Sequence, residues 1–472
     1  MVFASFLQDR DFIDACYLVA SVLFILGIRG LSHPRSARQG NVLASIGMLI
    51  AVVATLLDPE IDNFGLIILG IAIGAVIGAV SARAVKMTAM PQMVALFNGV
   101  GGGAVAAIAL SEYHELIPEP GDIPLETLIP TLLACVIGAV SFAGSMIAFA
   151  KLQELMTGRP IIFPGNQFMN GGLLLGILFL IVYLAAGPES EELFAAMLVG
   201  ALVFGVMLII PVGGADMPVV ISMLNAFTGL SAAGAGFVLD NSALIIGGSL
   251  VGSSGTLLTI LMGRAMNRSL ANVLFGAFGA AAPSGAPGAG GDGTVGTVRQ
   301  GTVTDVATML AYADRVVVVP GYGLAVAQAQ HTVRELADEL EKRGVEVSYA
   351  IHPVAGRMPG HMNVLLAEAD VPYEALKEMD EINPDFPQTD VALVIGANDV
   401  TNPAARHDQS SPIYGMPILE VDKAHQVVVL KRSMNPGFAG IENELYYQEQ
   451  TTMLFGDAKD SVAKLVGEVR NA

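Results

Sequence analysis

The sequence predicts a multi-pass α-helical membrane domain of about nine helices, followed by a C-terminal α/β Rossmann-like domain with a parallel sheet. Three observations predict it. Of the 472 residues, 53% are hydrophobic and only 14% charged, against about 25% charged in a soluble domain. So much apolar surface cannot be buried in a water-soluble particle, and the excess faces lipid. The apolar stretches are confined to the first 270 residues and recur at lengths that span a bilayer core, roughly 20 residues each as helix. Beyond residue 300, short β-branched runs alternate with amphipathic helical patterns, as in α/β domains.

The nine spans lie near 11–29, 41–57, 64–82, 91–110, 126–150, 168–186, 191–211, 217–237 and 241–263. The first, third, fifth and ninth are followed by basic loops: Arg29, Arg35 and Arg38; Arg83 and Lys86; Lys151 and Arg159; Arg264 and Arg268. The even-numbered ones are followed by acidic loops: Asp58, Glu60 and Asp62; Glu112, Glu115, Glu119 and Asp122; Glu189, Glu191 and Glu192. Basic loops stay in the cytoplasm. The N-terminus is therefore expected outside, with Arg10 as the one exception to the pattern, and the C-terminal domain inside. The first span has neither a basic n-region nor a small-residue cleavage site, so it reads as an anchor and not a cleaved signal.

The run GAFGAAAPSGAPGAGGDGTVG is too poor in large side chains to pack a core and reads as a linker. The expected division is 1–270 membrane domain, 271–300 linker and 301–472 nucleotide-binding domain. A net charge of −19 offers no basic footprint for nucleic acid. Cys16 and Cys135 both sit in apolar runs and read as small buried hydrophobes.

Within the spans, Gly70, Gly74 and Gly78 place a glycine stripe on one helix face, and Gly248, Gly252 and Gly255 do so on the last span. Such stripes let helices approach closely. Asn98, Ser141, Ser145 and Asn225 are polar groups at membrane depth, and an unsatisfied amide there is costly. They read either as interhelical hydrogen bonds or as groups along a hydrated proton path. Asp216, in GGADMPVV, falls at the predicted cytoplasmic edge of the eighth span, where a carboxylate gates protons or caps a helix.

In the C-terminal part, RVVVVPGYGLAV reads as a buried strand, a glycine turn and a helix start. Gly321 and Gly323 match the first two glycines of a dinucleotide fingerprint, which allow backbone N–H groups to approach a pyrophosphate. Val326 stands in place of the third. The second strand, VEVSYAI, ends near His352 without an acid to hold a ribose 2′-hydroxyl, which favours NADP over NAD. The later strand VVVL runs into Lys431, Arg432 and Ser433, two cations and a hydroxyl suited to a phosphate monoester. VAGRMPGHMN with Arg357 and GANDVTNPAA with Asp399 follow strands, where ligands bind in open α/β sheets. SMNPGFAG has the glycines and aromatic of a lid. No Ser–His–Asp set, CxxC, HExxH or Walker lysine occurs, and no metal site is expected. His352 and His361 read as structural.

Together GADMPVVISMLNAFTG, GSLVGSSG, MNRS, PGYGLAVAQAQ, IHPVAGRMPGHMNVLLAEA, VALVIGANDVTNPAA, KRSMNPGFAG and LFGDAK resemble one family over nearly the whole chain: the β subunit of bacterial proton-translocating NAD(P)+ transhydrogenase. The resemblance implies a Re/Si-specific enzyme in which this chain holds NADP(H), lying reversed relative to the usual Rossmann order. It implies NAD(H) on a partner α subunit that brings further membrane helices, in a dimer of αβ units in the bacterial inner membrane. Hydride passes directly between nicotinamides, without a protein acid or base.

By matching motif positions, NADP contacts are implied at Tyr322, and at Val354, Ala355, Gly356, Arg357, Met358 and Pro359. They continue at Gly396, Ala397, Asn398, Asp399 and Val400, and at Gly415 and Met416. Lys431, Arg432 and Ser433 are implied to hold the 2′-phosphate, followed by Met434, Asn435, Pro436, Gly437 and Phe438, then Asp457 and Ala458. Phe438 departs from the tyrosine of many relatives. Asn98 stands where some relatives carry histidine, so a titrating carrier at that position cannot apply here. Asn98, Ser145 and Asn225 are implied to order water along a proton path that Asp216 and Arg268 couple to the soluble domain. The alternative is a nucleotide-regulated channel or transporter with a sensing Rossmann-like domain.

Overall fold

The computed structural model describes residues 8–32, 34–59, 61, 63–117, 123–157, 160–161, 163, 165–187, 190–266, 298–357, 360–409, 411, 413–437 and 439–471. Arg268, Met358, Pro359 and Phe438 lie outside the described residues. So do the loop charges Glu60, Asp62, Glu119, Asp122, Arg159 and Glu189, and nearly all of the 271–300 segment. The chain divides into two compact units, Met1–Thr259 and Ile260–Ala472.

Among the described residues, the first unit holds nine long helices, the last of which runs past its boundary: α1 Arg10–Leu31, α2 Pro34–Leu56, α3 Phe64–Ala84, α4 Met90–Leu116, α5 Leu125–Leu152, α6 Asn166–Ala185, α7 Glu191–Ile209, α8 Met217–Val238 and α9 Ser242–Ala265. Each is long and apolar enough to cross a membrane. Two outrun the apolar stretches expected from the sequence. Helix α2 begins at Pro34, seven residues before 41, and α4 continues through SEYHEL to Leu116. Hydropathy registers the lipid thickness, whereas the backbone keeps its helical hydrogen bonds into the polar interface.

Helices α5 and α8 form the centre, packing on each other while α5 also meets α4 and α7. Glycines set these approaches. A Cβ on Gly102 of α4 would lie 2.8 Å from the Gly138 carbonyl oxygen of α5, and one on Gly138 would lie 2.7 Å from that of Gly102. Helix α9 meets α8 in the same way, a Cβ on Gly248 lying 2.6 Å from the Gly229 oxygen. The stripe Gly70, Gly74 and Gly78 behaves differently: no neighbouring atom lies within 4 Å of a Cβ at any of them, and α3 buries no residue. At the end of α5, the buried Lys151 ammonium donates to the Val212 carbonyl at 2.7 Å and the Ile209 carbonyl at 3.3 Å. A cation there satisfies carbonyls that the end of α7 leaves open.

Among the described residues, the second unit holds a six-stranded, fully parallel sheet. Its strands are β1 Arg315–Pro320, β2 Glu346–Ile351, β3 Leu376–Glu378, β4 Val391–Ile395, β5 Gln426–Lys431 and β6 Thr451–Phe455, in the order β3-β2-β1-β4-β5-β6. The Val-rich strands β1 and β4 are buried along almost their whole length, as parallel strands covered on both faces require. Helix α10 (Val303–Ala311) opens with a reciprocal Thr302–Asp305 capping box. Helices α11 (Tyr322–Ala327), α12 (Gln330–Lys342), α13 (His361–Glu368) and α14 (Ala458–Asn471) complete the set used below. Residues 299–301, at the end of the expected linker, already belong to the sheet edge: the Met453 N–H donates to the Arg299 carbonyl at 2.8 Å, and the Gly301 N–H to the Met453 carbonyl at 3.0 Å.

Candidate functional site

Two clusters emerge, one in each unit. In the helical unit, the amide of Asn98 donates to Ser145 Oγ at 2.9 Å and to Ser141 Oγ at 3.4 Å. Ser141 Oγ donates to the Leu224 carbonyl at 2.8 Å and lies 2.6 Å from Thr228 Oγ1. The glycine contact between α4 and α5 makes this possible, since Asn98 lies one turn from Gly102 while Ser141 and Ser145 follow Gly138 along the antiparallel partner. Three helices are thus joined by side chains that donate and accept but carry no charge. Thr228 was not singled out from the sequence, although it lies three residues after Asn225 and hence on the same face of α8. Asn225 is half-buried and joins none of these hydrogen bonds. Asp216 stands at the N-cap position of α8 without a side-chain capping bond.

In the sheet unit, the loops after β1, β2, β4, β5 and β6 lie at the carboxyl edge, and strand order reverses between β1 and β4, the usual ligand crevice of open α/β sheets. The glycine turn after β1 corrects the fingerprint reading. The N–H groups of Gly321 and Gly323 donate to the carbonyls of Ile395 and Gly396, at 2.9 and 3.0 Å. A Cβ on Gly321 would lie 2.3 Å from the Gly396 oxygen, and one on Gly323 2.7 Å from Gly396 Cα. Both glycines therefore admit the β4 loop, and their N–H groups are already committed. Gly396 turns there at φ +70°.

Past this crossing, Tyr446 ties two loops together. Its hydroxyl donates to Asn398 Oδ1 at 2.7 Å, and Lys431 Nζ donates to that hydroxyl at 3.4 Å while lying 4.7 Å over the ring. Lys431 also donates to the Asn435 carbonyl at 2.7 Å. Burial lowers the lysine pKa, opposed by the nearby Asp399 carboxylate, and burial raises that of the Tyr446 phenol. The amide of Asn443 adds bonds to the Asn398 carbonyl at 3.0 Å and to Thr401 Oγ1 at 3.3 Å. The segment after β5 meets the same loop: the Ala439 N–H donates to Asp399 Oδ2 at 3.0 Å, and a Cβ on Gly437 would meet Asp399 Oδ1 at 2.6 Å.

Arg432 and Ser433 are exposed, and Ser433 Oγ accepts from the Asn435 N–H at 3.4 Å. The Gly456 N–H donates to the Lys431 carbonyl at 3.1 Å. Asp457 uses Oδ1 to cap α14, accepting from the Lys459 N–H at 2.9 Å. Around the β2 loop, the Arg357 guanidinium lies 4.5 Å over the Tyr322 ring. His352 and His361 contact this loop's backbone, and Gly415–Met416 is joined to it through the neighbouring Pro417. Tyr446 and Asn443 are the members that sequence reasoning missed; their only signal was a pair of tyrosines and an asparagine in NELYY, between the lid and β6.

The sequence profile of a family described as NAD(P) transhydrogenase beta subunit matches residues 13–468. Two relatives from Rhodospirillum rubrum, both called NAD(P) transhydrogenase subunit beta, are each 52% identical over 456 residues, covering 96% of this chain and 98% of theirs.

Proposed function

The chain belongs to the NAD(P) transhydrogenase beta subunit family, and from that premise we propose how its residues divide the work. It is a membrane-embedded subunit of a proton-translocating transhydrogenase and operates with an α subunit. Family membership favours this over a nucleotide-gated channel. In our reading this chain holds NADP(H) and the α subunit holds NAD(H), with Re/Si-specific hydride transfer inside a dimer of αβ units. We place the complex in the bacterial inner membrane with the sheet domain cytoplasmic, because the basic loops follow the first, third, fifth and ninth spans.

The observation that carries the nucleotide assignment is the end of β5. Lys431 makes its hydrogen bonds to neutral oxygens, and Arg432 is exposed and forms no ion pair among the described residues. Two cations left without a bonded carboxylate at a strand's carboxyl end fit a 2′-phosphate. Arg357 over Tyr322, the Asn398–Asp399 loop and the 433–437 lid would line the rest. NADP(H) supplies the hydride chemistry when bound; the protein's part is to orient the nucleotide and exclude water.

The membrane half supplies the driving force. A proton crossing about 150–200 mV releases roughly 3.5–4.6 kcal/mol, enough to bias the nucleotide equilibrium by several hundred- to a few thousandfold. Linkage then requires NADP(H) affinity to change with proton occupancy. Asn98, Ser145 and Asn225, with Ser141 and Thr228, would order water along the path, and Asp216 and Arg268 would couple it to the nucleotide domain. The α subunit's helices would complete the bundle against α3, which buries nothing within this chain.

The test replaces Lys431 or Arg432 with alanine in the assembled complex. Each is expected to lower the preference for NADPH over NADH by roughly ten- to a hundredfold, the loss of one charge-assisted hydrogen bond. Undiminished preference contradicts the assignment.

A further inference from the structure

We propose that His352 and His361 are positioning residues that hold the two ends of the 353–357 segment, each through a neutral imidazole protonated on Nε2. The proposal rests on reading that loop as a nucleotide-binding segment. Among the described residues of the loop between β2 and α13, the Ala355 N–H donates to the His352 carbonyl at 3.0 Å. Two further N–H groups go to imidazoles. The Val354 N–H donates to His352 Nδ1 at 3.3 Å, and the Arg357 N–H donates to His361 Nδ1 at 3.1 Å.

An imidazole nitrogen that accepts an N–H carries a lone pair, so in a neutral ring the proton sits on the other nitrogen. At His352 the other side agrees: Nε2 lies 2.8 Å from the Pro417 carbonyl, which can only accept. One ring therefore joins the 353–357 segment to the 415–417 segment. At His361 the fit is steric as well. Gly356 turns at φ +117°, and a Cβ there would lie 2.5 Å from His361 Nδ1. The ring thus fills the space a side chain at 356 would need and fixes the Arg357 backbone, from which the guanidinium reaches Tyr322. Both rings are fully buried, with relative exposures of 1% and 0%, so a lost acceptor has no water to replace it.

The test uses the full chain assembled with its α subunit, with NADPH as the probe. His361→Leu, which removes the acceptor, is expected to raise KM for NADPH about tenfold while kcat at saturation stays within about twofold. His361→Asn, whose carbonyl oxygen can take the Arg357 N–H, is expected to restore most of that loss. An unchanged KM in the leucine variant, or an asparagine variant as impaired as leucine, overturns the clamp. Nitrogen NMR of histidine-labelled wild-type chain reads the tautomers even if a variant does not fold. Both rings should show a protonated Nε2 and an accepting Nδ1 at neutral pH; an Nδ1–H form or an imidazolium overturns the proposal. A wild-type complex that does not prefer NADPH over NADH defeats the nucleotide reading instead, whatever the tautomers show.

Discussion

The side-chain amide of Asn98 on α4 donates to the hydroxyl of Ser145 on α5 across 2.9 Å. A hydrogen bond of this kind in a membrane contributes only about 0.6 kcal/mol on average, so it is a weak reason for two helices to associate. The Gly102–Gly138 backbone contact holds them, which leaves the polar groups available for the proposed proton path. Asn98→Ala is therefore expected to leave the chain folded, with stability changed by about 1 kcal/mol or less. Proton pumping by the reconstituted complex should fall about tenfold, a barrier increase near 1.4 kcal/mol. Pumping assays beside thermal unfolding check this; unchanged pumping removes Asn98 from the path.

Gly138 and Gly74 predict opposite outcomes for the same substitution. Gly138→Val pushes a side chain into the Gly102 carbonyl and should cost about 1–3 kcal/mol or more as α4 and α5 part. Gly74→Val meets open space and should leave the isolated chain as stable as before. Unfolding of both variants in detergent compares them directly.

Tyr446 is 2% exposed and buried among the β5–β6 core residues. Tyr446→Ala is expected to destabilise the sheet domain by about 3–5 kcal/mol, as for other large aromatic truncations. It should also weaken NADPH binding, because Asn398 and Lys431 lose a shared partner. Unfolding curves and NADPH titration on the same preparation measure both effects.

His352 makes the stability of its loop depend on pH. Burial holds its pKa near 4, below the ordinary 6.5. Between those values the unfolded chain carries the proton and the native chain does not. Stability is then complete above about pH 6.5 and is lost as pH falls towards 4, by about 3 kcal/mol in total. His361, lowered by burial and by Arg357, acts in the same direction. Hydrogen exchange at Val354 should quicken over this range beyond its intrinsic pH dependence, and His352→Gln should flatten the excess.

Much of this was legible in the sequence for identifiable reasons. Apolar length revealed the nine helices, and VVVL followed by Lys431 and Arg432 revealed a cationic strand end, because both signals are local. Gly321 and Gly323 were legible as a tight turn, but not as the crossing point of the Gly396 loop, since that contact joins residues some 75 positions apart. Thr228 and Tyr446 escaped for the same reason: a hydroxyl gains a role only when its partners, Ser141 or Asn398, are brought beside it. The glycine stripe on α3, expected to receive a neighbouring helix, meets none among the described residues of this chain.

The central claim is that one chain joins a helical proton path to an NADP(H) site. The most direct measurement is proton movement in sealed vesicles containing this chain and its α subunit, with NADPH reducing an NAD+ analogue. The account predicts that hydride transfer acidifies or alkalinises the lumen in step with turnover, and that Asn98→Ala and Lys431→Ala each suppress that signal. Full hydride transfer with no proton movement in wild-type vesicles, or a nucleotide-gated proton leak without hydride transfer, contradicts it.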